Sequence, residues 1–177
     1  MARCAPQLAA TAALLSVGAA AIHAAVAGPH FEEWPPFGVL FVSAALAQAL
    51  WGALVLARPS ARLVAAGVAG NVAIIAAWAL SRTAGLPIGP DAGTPEPVAA
   101  LDAVATAFEL GVVVTALALL AGGRFVRPFA VRTTGRFALA AAVVVFSITG
   151  TALAQDDAGH HPPAPAHEHE HTTPHRH

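Results

Sequence analysis

The fold class this sequence predicts is all-α: a polytopic membrane bundle of five transmembrane helices, N-terminus in and C-terminus out, followed by a disordered His-rich tail. Three observations predict it. Charged residues make up 11% of the 177-residue chain and hydrophobic residues 56%. A soluble domain carries about 25% charged residues, so the chain lacks the polar surface that water requires. Five apolar runs, at about residues 8–28, 37–57, 63–81, 98–121 and 137–154, approach or reach the ~20 residues needed to cross the hydrocarbon core. Finally, the arginines fall on one side of those runs if the runs alternate in direction.

The five runs are rich in Ala, Val and Leu and show no strand-like alternation. In lipid the backbone must satisfy its own hydrogen bonds, so each run reads as a helix, and the Ala and Gly content permits close helix approach. Arg3 precedes the first run, Arg58 and Arg62 separate the second and third, and Arg124, Arg127, Arg132 and Arg136 separate the fourth and fifth. The opposite side holds Arg82 and the tail's Arg176. The positive-inside rule therefore predicts a multi-pass protein of the plasma membrane with a cytoplasmic N-terminus and an extracytoplasmic tail. Two processing sites compete with this reading: Ala25-Val26-Ala27 after the first run, and Ala152-Leu153-Ala154-Gln155 after the fifth, both in the pattern of signal-peptidase cleavage. The intact mass of the mature protein distinguishes them from retained helices.

The corner at residues 22–36 gathers His23, His30, Glu32, Glu33 and Trp34 where the chain turns back between its first two runs. Because Gly28-Pro29 intervenes, His23 and His30 need not share a continuous helix. The segment at residues 82–97 is dense in Gly and Pro and reads as an ordered cap over the bundle. The tail, residues 155–177, is rich in Pro, His and acidic residues and should be disordered without a ligand.

A charge inside a membrane helix costs about 2.5–3.5 kcal/mol on insertion scales, so each one is a candidate site. Asp102, Thr106 and Glu109 share a helical face. With His23, and with Gln48 and Asn71 at similar depth, they predict a polar column, wet at its outer end through Glu32, Glu33, His30 and Asp102. The structural alternative is that Gln48 and Asn71 are interhelical glue and His23 a packed pair with a carboxylate. The three tryptophans, Trp34, Trp51 and Trp78, read as interface anchors or packing.

The pattern His23, His30-Phe31, Glu33-Trp34, Gly38, then Gly70-Asn71, Ser81-Arg82-Thr83, Gly85, Pro87, Gly89-Pro90, Glu96-Pro97-Val98, Asp102 and Glu109 resembles a set of small multi-pass proteins of high-G+C bacteria described as hypothetical membrane proteins. The resemblance spans about residues 21–120, the first four helices, and implies no activity. On it, the fifth helix and the tail look like additions to a four-helix unit.

Seven of the nine histidines, His160, His161, His167, His169, His171, His175 and His177, lie in the tail, interleaved with Glu168 and Glu170. Imidazole and carboxylate donors, with no thiolate or thioether beyond Cys4 and Met1, suit Zn, Cu(II), Ni, Fe or Mn rather than Cu(I), and a His-rich tract of this kind suits Zn, Cu or Ni. The candidate metal ligands are therefore these seven together with His23, His30, Glu33, Asp102 and Glu109. The alternative for the tail is a solubilising segment that charges below about pH 6.5. A near-zero net charge leaves no nucleic-acid footprint. The expected partners are the bilayer, a divalent transition metal, and a second membrane protein or another copy of the chain. A small metal-dependent enzyme competes with this reading, but no nucleophile motif or phosphate loop supports it. An accessory subunit of a membrane complex, its polar column serving as glue, is the third possibility.

Overall fold

The computed structural model describes residues 4–122; the fifth run at 137–154 and the tail at 155–177 lie outside the described residues. Within them the chain forms α1 (Cys4–Glu33), α2 (Pro35–Ala57), α3 (Ala61–Thr83) and α4 (Ala100–Gly122). All four helices are long and apolar enough to cross a membrane, and no strand occurs among the described residues.

The expected boundary at residue 28 is wrong: α1 runs for 30 residues, straight through Gly28-Pro29. Pro29 removes one N–H from the helix and crowds the turn before it. The turns beyond are closed by other means. Trp34 N–H donates to the His30 carbonyl at 3.0 Å, and the His30 and Glu33 side chains pair at 3.1 Å. His23 and His30 therefore ride on one continuous helix. The turn that follows is a single residue. Trp34 is extended (φ −160°, ψ 116°) and Pro35 opens α2. A residue before proline is driven out of the helical region, and proline's fixed φ suits the first helical position, so Trp34-Pro35 sets a tight antiparallel return. At the other end of α2, the Ser60 hydroxyl caps α3 by accepting from Leu63 N–H at 3.3 Å.

The loop between α3 and α4 is ordered, as its proline and glycine content suggests. Gly93 N–H donates to Leu86 O at 2.8 Å, and Glu96 N–H to Ser81 O at 3.0 Å. Gly85 has φ 77° and sits so close to the returning chain that a Cβ would lie 2.4 Å from Thr94 N. Gly89, with φ 101°, rests against the Phe37 ring, 2.8 Å from where a Cβ would be. Both positions need glycine for conformation and for room. The loop thereby covers the start of α2.

Helix α1 is the spine. It packs along α2 and α4, α3 packs on α4, and α2 touches α3 sparingly. The apolar core joins Ala9, Ala12 and Ala13 of α1 to Trp51 and Val55 of α2, Val64 of α3, and Val112 and Ala116 of α4. Alanines on α1 keep its surface flat enough for two helices to approach. Trp51 braces α2 against α3, its indole N–H donating to Leu63 O at 2.8 Å. Gly67 makes room for the ring, since a Cβ there would fall 2.2 Å from it. Gly67→Leu should cost about 1–3 kcal/mol by overpacking, read as a lower midpoint of thermal unfolding in detergent; Gly70→Leu, at a position with open space around it, should leave the midpoint unchanged.

The outward surface is apolar, including Leu46 and Leu50 on α2 and Leu110 and Val114 on α4, all at least half exposed. Such a continuous apolar exterior calls for hydrocarbon rather than water around it.

Candidate functional site

Midway along the bundle all four helices bring a polar side chain inward. Gln48 of α2 is the hub. Its amide donates to Glu109 Oε1 of α4 at 3.1 Å and to Asn71 Oδ1 of α3 at 3.4 Å. Asn71 in turn donates to Gly67 O at 2.8 Å, and Ser16 of α1 donates its hydroxyl to the Gln48 backbone carbonyl at 2.8 Å. His23 of α1 completes the group, its Nε2 3.5 Å from Glu109 Oε1. Glu109 is 1% exposed and His23 6%. A carboxylate is admitted to such an interior only with partners around it, and the amide of Gln48 and the imidazole of His23 supply them. Gln48 Oε1 and His23 Nδ1 remain without a partner. The cluster thus retains hydrogen-bonding capacity that its own side chains do not use.

Nearer the end where α1 meets α2 lies a second group. Arg82, at the end of α3, is ion-paired to both Asp102 of α4 and Glu96 of the loop. Asp102 also accepts from Ala99 N–H at 3.3 Å, closing the first turn of α4. His30 pairs with Glu33 and stacks on Phe41, ring centroids 4.0 Å apart, while His23 meets the edge of the same ring at 5.5 Å. One aromatic side chain therefore separates the two imidazoles.

A cavity of about 560 Å³ connects the two groups. It is lined by His23, His30, Glu33, Arg82, Glu96, Asp102 and Glu109 among its polar residues, and by Phe37, Phe41 and Trp78 among its aromatic ones. Four carboxylates face one guanidinium and two imidazoles. With neutral imidazoles the lining carries a formal excess of three negative charges, so the cavity favours cations over anions.

The structure unites some sequence candidates and separates others. His23 and Glu109 meet, joined by Gln48 and Asn71, and Thr106 is buried on the same face of α4. His30 and Glu33 form a separate pair. Asp102 does not reach the His23–Glu109 pair: it lies in the first turn of α4, where Arg82 holds it. Among the described residues no three His, Cys, Asp or Glu side chains converge as a ready metal cage. His160, His161, His167, His169, His171, His175 and His177 lie outside the described residues. Arg82 and Glu96 were missed as site residues. The available signal was Arg82 itself, the single Lys or Arg between the third and fourth runs, followed by Asp91, Glu96 and Asp102 that it could neutralise. Trp51 proves to be a helix brace, and Trp78 lines the cavity with its indole N–H unpartnered.

Together these features define a class: among the described residues, an all-α bundle with four membrane-length helices and an acid-lined cavity reaching a buried His–Glu pair. Comparison with protein-family models, curated proteins and solved structures finds no match.

Proposed function

We propose that this is an integral protein of the plasma membrane that binds a divalent transition metal (Zn, Cu or Ni) at its extracytoplasmic face. The observation that carries the reading is the charge of the cavity, where Glu33, Glu96, Asp102 and Glu109 outnumber Arg82. Orientation follows from arginine, since the connections rich in Arg belong on the cytoplasmic side. That puts the N-terminus inside, and the cavity mouth and the tail outside.

In this reading the tail's imidazoles and carboxylates capture the ion and hold it at high effective concentration near the mouth. The acidic lining draws it in. His23 and Glu109 then supply one nitrogen and one oxygen donor, with the free Gln48 Oε1 beside them. Divalent zinc and copper accept such mixed donors. No nucleophile stands next to a base at the cluster, so the reading is of binding and handling rather than catalysis.

Elemental analysis and equilibrium dialysis of purified protein at micromolar Zn²⁺, Cu²⁺ and Ni²⁺ test it. The full chain should bind at least one ion, truncation after Gln155 should remove most of the bound metal, and His23→Ala should abolish the tightest remaining site. No binding at micromolar concentration would falsify the proposal.

A further inference from the structure

We infer that the same cavity admits a lipophilic organic cation directly from the bilayer, through the seam between α2 and α3. The inference shares the acidic lining with the metal reading but does not use the tail.

Size is the first argument. A volume of about 560 Å³ is far more than a bare ion occupies, and falls within the ~300–1,000 Å³ of sites that hold drug-sized molecules. The second is access. Leu40 of α2 and Ala73 and Ala77 of α3 line the cavity, yet Leu40 is 55% exposed and both alanines are exposed. The cavity therefore opens on the apolar exterior, between two helices whose bonds to each other, Trp51 to Leu63 and Gln48 to Asn71, lie at mid-depth and beyond. A hydrophobic solute already dissolved in the membrane meets that opening without crossing water.

Charge and wall chemistry complete the case. Every ionisable group on the lining has been named: Glu33, Glu96, Asp102 and Glu109 against Arg82, with His23 and His30. Arg82 is engaged by two carboxylates, so no free cation waits for an anionic ligand. Phe37 and Trp78 contribute further aromatic lining, and aromatic rings attract a desolvated quaternary or phosphonium centre. Glu109, at 1% exposure, is the most buried of the four acids. A largely apolar wall carrying a buried acid complements a bulky monocation and repels an anion of equal shape.

Two ions of nearly the same size and shape but opposite charge provide the test: tetraphenylphosphonium and tetraphenylborate. Each is titrated by equilibrium dialysis against the full chain in detergent. The phosphonium should bind saturably and at least tenfold more tightly than the borate. Glu109→Gln, which retains the acceptor for Gln48, should weaken phosphonium binding at least tenfold. Ala77→Trp, which fills the seam from its exposed side, should do the same while leaving Zn²⁺ binding unchanged. Equal affinity for the two ions overturns the inference, as does unchanged phosphonium binding in either variant. Zinc binding without phosphonium binding defeats this inference and leaves the metal reading standing; the reverse result leaves this inference and removes that one.

Discussion

Glu109→Ala should destabilise the bundle by about 2–3 kcal/mol, while Glu109→Gln should stay within about 1 kcal/mol of the parent. The carboxylate is the meeting point of α1, α2 and α4: it accepts from Gln48 at 3.1 Å and lies 3.5 Å from His23. Alanine leaves both of those buried groups short of a partner and opens a void. An unsatisfied buried group costs about 1–3 kcal/mol. The low end applies, because interhelical hydrogen bonds in membranes average only about 0.6 kcal/mol. Glutamine keeps an oxygen for Gln48 and removes a charge whose insertion is itself costly. Thermal unfolding in detergent, read as the fraction remaining monodisperse after heating, checks the ranking. A Glu109→Gln loss as large as that of alanine would show that the charge, not the hydrogen bond, holds the helices.

The second large effect concerns Arg82. Arg82→Ala strands Asp102 and Glu96 together and releases the loop from the end of α3. Exposed ion pairs contribute about 0–1 kcal/mol and breaking a buried one costs about 3–5. Here the guanidinium side chain is 13% exposed but its partners are 24% and 43% exposed, so a loss of about 2 kcal/mol is expected. The effect should be local. Hydrogen exchange should speed up at Glu96 N–H and Gly93 N–H, which hold the loop to Ser81 and Leu86, and remain unchanged at Val112 in the core. Arg82→Lys should restore only part of the protection, because an ammonium does not reproduce the fork that reaches two carboxylates at once. Uniform acceleration through α4 would mean that the pair supports the whole bundle rather than the cap.

Much of this was legible from residue order. Four of the expected helices are present, because apolar length alone dictates them. Their ends moved where local chemistry outweighed composition. α1 continued past Pro29 since the His30 and Glu33 pair and the Trp34 amide finish its last turn. α4 starts at Ala100 rather than residue 98, where Asp102 can hold the Ala99 amide. The convergence of Gln48, Asn71 and Glu109 followed from their comparable depth in antiparallel runs, and His23 joins them from its place further along the polar column. Asp102 lines the same cavity as His23 and Glu109, as its place at the far end of the polar column implies. Its direct partner is Arg82, which residue order presents as a topology marker rather than a counter-ion. The path that brings Glu96 back to Arg82 depends on left-handed glycines in the loop, a geometry that composition suggests only loosely.

The one-sided bracing of α2 on α3 has a mechanical consequence. Fastened at Trp51, the two helices form a lever, and Phe37 sits about 20 Å along it at ~1.5 Å per residue. A tilt of about 5° at the fulcrum widens the gap there by roughly 2 Å, a displacement well within ordinary adjustments of helix inclination, and leaves the Trp51 bond in place. The width of that gap is thus a compliant dimension, one that bilayer thickness and lateral pressure can set.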